Sequence, residues 1–280
     1  MLRLNEPVHT YEQSLDDCGS GIARYMPLKM KLSNGKLDLL AAGGQYSVAG
    51  RAGNLSSFAP FLGSAVDVVI ADITKEELVK VYDQYFVPED KVARRVYDAI
   101  MNSAQEKCPF CGGIGTPRNL DHFLPKAYFP QFTVLPINLV PACWDCNMDG
   151  KGHTIAATAE DQPIQPYLDD AKFFNEQWVF AAYHAGANGA HGEFEYFTSP
   201  PIHWSVVERT RVARHFENFD LAKRYSVKAA EQLATVFGQI DRMKSKGLGE
   251  EDVRHVLLEP GVAQAPFINH WQRGMYQALM

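Results

Sequence analysis

Two Cys-x2-Cys pairs, CPFC at 108–111 and CWDC at 143–146, stand 31 residues apart in a chain of 280. No other stretch constrains the fold as much. Each pair can turn tightly enough to place two sulfurs on one ion, and two pairs supply the four thiolates of a tetrahedral zinc site. The opening residues, MLRLNEPVHTYEQSLDDC, lack the continuous apolar segment of a secretory leader. The expectation is therefore a cytoplasmic protein, in which paired cysteines hold zinc rather than form disulfides. Buried free thiols are the plainer reading, but a spacing that occurs twice favours Zn2+ on Cys108, Cys111, Cys143 and Cys146. Cys18 stands alone and is expected to be a small buried apolar residue.

The gap between the pairs is longer than a simple ribbon needs, so something is built inside it. RNLDHF (118–123) reads as a short strand, and LPKAYFPQF (124–132), with two prolines, as irregular. In 133–143 Pro136 and Pro141 leave room for a short second strand near Asn138 to Val140. WDCNMDGKG (144–152) can form a brief helix that Gly150 and Gly152 help to end. The order is strand, loop, strand, helix, with a cysteine pair at each end.

The run LDHFLPK…INLVPACWDCNMDGKG resembles the HNH endonucleases, the ββα-metal nucleases, in their zinc-knuckle form. The resemblance covers about 45 residues, 108–152. Asp121 and His122 match the family's leading Asp-His pair, Asn138 its central Asn, and Asn147 its last position. Here Asn stands in place of His, as in the HNH domain of RNA-guided CRISPR nucleases. The flanks TKEELVKVYDQYF and PYLDD also resemble bacterial HNH proteins of this size found near phage-defence genes. The resemblance implies that His122 is the general base and that Asn138 braces its loop.

The residue types suit the chemistry. Hydrolysis of a phosphodiester needs an activated water, neutralised phosphoryl charge and a stabilised leaving oxygen. A hard ion such as Mg2+ or Mn2+ prefers oxygen ligands, which the Asp121 carboxylate and the Asn147 amide carbonyl can offer. An ordinary imidazole, with a pKa of about 6.5, suits a base at neutral pH. Neighbours on a strand point to opposite faces, so Asp121 and His122 share a site only through a twisted strand end or a carbonyl that holds the imidazole. His153 is the alternative to Asn147 as third metal-site residue. Each of these residues alone has a plainer reading, as a turn former, helix end or solvated group.

Charge frames the partners. The net charge of −6 excludes a generally adhesive nucleic-acid binder. Residues 154–204 hold seven acids and one Lys, whereas 205–246 hold nine bases and five acids. Arg209, Arg211 and Arg214 could then form part of a DNA face, with Lys126 and Lys151 touching phosphates, or all five could be solvated. Helices are expected from the Thr74–Glu77 capping box onward, at about 89–104, 205–217, 220–246, 250–258 and 264–278. A turn is expected at 186–194 between two strands. With 46% hydrophobic residues the chain can bury a sizeable core. The reading is an α+β protein: a mainly helical region (1–106), an embedded ββα-metal core (107–153), and a mixed, then helical extension (154–280). Its expected function is a metal-dependent endonuclease, acting on double-stranded DNA and weak until an activating partner or self-association raises affinity. A non-catalytic zinc-stapled binding module is the alternative. No membrane partner is expected, since no run of 18 apolar residues occurs.

Overall fold

Polar caps and buried stripes set the helices of the computed structural model, which describes residues 1–152, 155–186 and 192–280. Thr10 and Gln13 form a capping box that starts α1 (Tyr11–Gly21), where Cys18 is buried as expected. Helix α2 (Met26–Asn34) opens with Pro27 in its first turn. Helix α3 (Lys36–Arg51) buries Leu39, Gly43, Tyr46 and Gly50 along one face. A side chain at Gly43 would put its Cβ 2.7 Å from Tyr11, so glycine lets α3 approach α1 closely.

The hairpin β1 (Val68–Ile70) and β2 (Ile73–Thr74) leads into α4 (Lys75–Lys80), capped by Thr74 and Glu77 as expected. The chain then widens into a π-helical turn over Val81–Phe86. Helix α5 (Arg94–Ser103) begins later than the expected Glu89, because turns after Pro88 occupy the interval. Strand β3 (Asn119–His122) pairs antiparallel with β4 (Leu139–Ala142), Asp121 opposite Val140 and His122 opposite Leu139. Strand β4 starts just after Asn138 rather than on it, since Pro136–Asn138 forms a 3-10 turn. The expected helix after the second cysteine pair is a second π-helical segment, Asp145–Lys151, closed by Gly152 at φ 51°.

Helix α6 (Lys172–Asn175) precedes β5 (Val179–His184) and β6 (Glu193–Thr198), which pair antiparallel. Most of the turn expected between them lies outside the described residues. Ser205 and Glu208 cap α7 (Val206–Asn218), and α8 (Leu221–Ser245) follows. The single helix expected at 250–258 is instead α9 (Glu250–Val253), a π-helical turn (Arg254–Leu258) and α10 (Glu259–Ala263). Helix α11 (Trp271–Ala278) is shorter than expected, because Pro266 cannot sit inside a helix.

Among the described residues the strands form three two-stranded sheets, so the fold is mixed α+β. Strand β5 packs on α11 and β6 on α8. Buried side chains from all three expected segments, from Met1 to Met275, join one cluster. The four paired cysteines lie inside it. No helix of the described residues is long and apolar enough to cross a membrane.

Candidate functional site

Folding brings the two cysteine pairs together. The Sγ atoms of Cys108, Cys111, Cys143 and Cys146 all lie within 4.8 Å of one another, buried. Cys111 and Cys143 are 4.0 Å apart. Sulfurs on one tetrahedral zinc stand about 3.8 Å apart, so the donor set fits a structural metal such as zinc. Second contacts hold the sulfurs. The Gly115 N–H donates to Cys111 Sγ at 3.3 Å, and a Cβ at Gly115 would meet Cys143 Sγ at 2.5 Å. The Arg224 guanidinium donates to Cys146 Sγ at 3.3 Å and to Cys143 Sγ at 3.7 Å. Four thiolates on a divalent ion leave negative charge, which Arg224 offsets.

The Asp-His pair lines a different place. A cleft of about 420 Å3 is bordered by Tyr82, Asp121, His122, Lys126, Asn147 and Met148, among others. Two of the three π-helical segments among the described residues, Val81–Phe86 and Asp145–Lys151, reach it, a backbone form frequent at functional sites. Asn119 and Asp121 share one face of β3 by strand alternation. Asn147 is hooked to that face, its amide Nδ2 donating to Asn119 Oδ1 at 2.9 Å. That bond does not use the amide carbonyl of Asn147.

His122 solves the opposite-face problem through a carbonyl. Its Nε2 lies 2.9 Å from the Thr133 carbonyl, which can only accept, so Nε2 carries the proton. Thr133 Oγ1 in turn donates to the Leu78 carbonyl at 3.2 Å, anchoring the acceptor to α4. The Tyr82 ring meets the imidazole edge-on at 4.5 Å. Burial, with Lys126 and Lys151 nearby, pushes His122 down to about 3, away from the ordinary value expected above. The ring is therefore neutral at neutral pH, with Nδ1 as its acceptor.

Asn138 is fully buried and does not reach the cleft. Its Oδ1 accepts from Leu124 N–H at 2.8 Å, and its Nδ2 donates to the Leu124 and Phe132 carbonyls at 3.2 and 3.1 Å. It braces the loop that follows His122. Lys126 pairs with Asp83 at 2.7 Å at the cleft mouth. Lys151, expected either at a phosphate or solvated, is instead buried against Asp121. Asp121 and Lys151 thus form an enclosed ion pair.

The expected arginine face is not one face. Arg211 is buried and bound to Asp169, Gln162 and Pro163, so it belongs to the core. Arg214 pairs with Asp161 at 2.6 Å. Arg209 lies between core and solvent, its Nε buried. His153 lies outside the described residues. Sequence reasoning missed Thr133, Tyr82 and Arg224. The first acts through its backbone, which leaves no residue signal. The other two reach their sites only through folding.

Fold and site together define a mixed α+β protein with a buried four-cysteine group of metal-binding geometry beside an acidic-histidine cleft. The chain is 33% identical to protein ea31 of Escherichia phage lambda, over an alignment that covers all of this chain and 97% of that protein. It belongs to the family of that phage protein. No protein-family model matches it, and no solved structure does.

Proposed function

We propose that this protein is an HNH-type endonuclease that hydrolyses phosphodiester bonds in DNA, with structural zinc on the four cysteines. One observation carries the reading. His122 presents a neutral imidazole with Nε2–H tied to Thr133, in the same cleft as the oxygens of Asp121 and Asn147. A divalent ion on Asp121 and Asn147 would supply charge neutralisation at the phosphoryl group and the leaving oxygen. His122 Nδ1 would take a proton from the attacking water. The nearby phosphate anion would raise its proton affinity above the low value of the empty cleft. Asn138 would keep the loop after His122 in register, and the Thr133 carbonyl would stabilise the imidazolium that forms.

The relative is a phage protein, which is compatible with a phage-related role; the antiviral-defence expectation gains nothing from it. With Arg211 in the core, the basic stretch at 205–246 offers DNA fewer open cations than its composition suggests. Slow cleavage by the isolated chain is the consequence, and a partner or a second copy would raise it.

The test is plasmid cleavage with Mg2+ or Mn2+, with and without a chelator, beside His122→Asn and Asp121→Asn. Asparagine replaces His122 here because alanine would leave a cavity against Tyr82. Both variants should keep about one zinc per chain and lose cleavage. A His122→Asn protein that cuts as fast as the wild type would remove the base. A zinc-free folded protein would remove the staple. One observation favours the second reading, a zinc-stapled binding module: Asp121 already has a cation beside it.

A further inference from the structure

That cation sits where a nuclease would need its own. The Lys151 ammonium donates to Asp121 Oδ1 at 3.1 Å and to the His122 carbonyl at 2.6 Å. Its side chain is 3% exposed and that of Asp121 is 7% exposed, so neither charge is screened by bulk water. Lys151 ends the segment Asp145–Lys151 that also carries Asn147. Gly152 follows at φ 51°, a backbone conformation that glycine adopts readily. For a carboxylate this enclosed, holding an ammonium and a divalent ion side by side is costly, because two cations in contact repel strongly where water is scarce.

We propose that Lys151 is the resident counter-ion of Asp121, and that it gives up this place when a divalent ion binds. The proposal rests on the nuclease reading's assignment of Asp121 as an ion ligand. The exchange keeps Asp121 neutralised before any ion arrives. It also weakens ion affinity, since the ion must displace an existing pair. Lys151 and Asn147 share one helical segment, which links withdrawal of the ammonium to placement of the Asn147 carbonyl. Lys151 thereby sets the ion concentration at which the cleft becomes complete.

Two experiments test this without reference to cleavage. The first counts free Mn2+ by electron paramagnetic resonance in titrations of the zinc-loaded protein. Lys151→Met keeps the chain length and removes the charge. It should bind Mn2+ roughly tenfold more tightly or better, the order expected when a buried competing charge is removed. Its melting temperature should also rise more with Mn2+ than that of the wild type, and Asp121→Asn should bind no ion in either background. The second experiment uses the wild type alone, so it stands even if Lys151→Met fails to fold. Lysine acetylation read by peptide mass spectrometry should find Lys151 protected without divalent ion and several-fold more reactive at saturating Mg2+. Exposed Lys223 serves as the unchanging reference. Equal Mn2+ affinity in the wild type and Lys151→Met overturns the exchange and leaves the nuclease reading standing. So does a Lys151 that stays protected at saturating ion. No Mn2+ binding by either protein overturns the exchange and the ligand assignment together.

Discussion

Asp169 and Asp121 are both buried carboxylates paired to a cation, yet the two pairs are built differently. Arg211 lays a planar fork on Asp169, with bonds of 2.9 and 2.6 Å to its two oxygens. It also donates to the Gln162 and Pro163 carbonyls and stacks over the Phe173 ring. Asp169 accepts in addition from the Gln165 N–H at 2.6 Å. Lys151 meets Asp121 with a point charge on a flexible four-carbon stem, through one carboxylate and one carbonyl. Burial does not separate the pairs, for the side chains of Arg211 and Asp169 are 3% and 1% exposed and those of Lys151 and Asp121 3% and 7%. Donor geometry does. A guanidinium that satisfies several fixed acceptors is a strut, whereas an ammonium on a long stem can be replaced by another cation.

The largest effect should come from breaking the strut. Arg211→Met leaves Asp169 buried without its cation, which costs about 3–5 kcal/mol of folding stability. Chemical denaturation should show this loss, and added Mn2+ should not restore it. Arg211→Lys should recover only part, since a point charge cannot serve four acceptors. A loss of under about 1 kcal/mol would show that the pair is not locked and that the contrast with Lys151 fails.

The same contrast recurs in the histidines, one step smaller. His215 uses both ring nitrogens, accepting from the Ile164 N–H at Nδ1 and donating from Nε2 to the Phe110 carbonyl at 2.8 Å. It joins α7 to the first cysteine pair, and burial pushes it down to about 3. Its folded pKa thus lies below the unfolded value of about 6.5, and the neutral ring is what the fold requires. Stability from this group is complete above about pH 6.5. As the pH falls from there toward about 3 the unfolded chain takes up the proton first, and stability drops by about 1.4 kcal/mol per pH unit. His215→Asn should lower stability at pH 7 but flatten its decline between pH 6 and pH 4 by about that slope. Urea midpoints at three pH values measure it. An unchanged slope would mean that His215 is charged or solvated in the folded protein.

What was legible followed from local rules. The doubled cysteine spacing gave the four-sulfur group, and Pro136 and the Asp-His pair located β3 and β4 to within a residue or two, although Pro141 does not end β4, which runs through it to Ala142. The capping boxes at Thr74 and Ser205 marked their helix starts. What was hidden depended on tertiary contact. In α3 two of the four buried positions are Gly43 and Gly50, which carry no hydrophobic signal although they keep helical period. Arg211 looked like part of an arginine face. A signal against that was present, for Arg211, Val212, His215 and Phe216 form one inward stripe of α7. Lys151 sits among glycines in a stretch that reads as a helix end, and only folding brings its ammonium to Asp121. The shift in His122 was hidden for the same reason, because its causes are burial and the charges of Lys126 and Lys151, which folding gathers around the ring.

The smallest stability effect, and the sharpest test of the cleft, belongs to Lys126. Its ammonium lies 4.8 Å from the Tyr82 ring centre and pairs with Asp83, with the two side chains 34% and 49% exposed. A pair this open contributes about 0–1 kcal/mol, so Lys126→Gln should leave the denaturation midpoint nearly unchanged. Its position at the same cleft as His122 makes it the cation that an entering phosphate meets without displacing a buried partner. In a His122→Asn background, where cleavage does not intervene, fluorescence anisotropy can follow duplex DNA binding over a range of salt. Lys126→Gln should weaken binding about equally across sequences and reduce the slope of log K against log salt by about one. Arg214→Gln, which removes a guanidinium already held by Asp161, should reduce it by less. An unchanged slope in Lys126→Gln would place Lys126 with the solvated surface pairs. It would leave the cleft without an open lysine, since Lys151 is buried against Asp121, and with it would go the electrostatic case for a phosphate there.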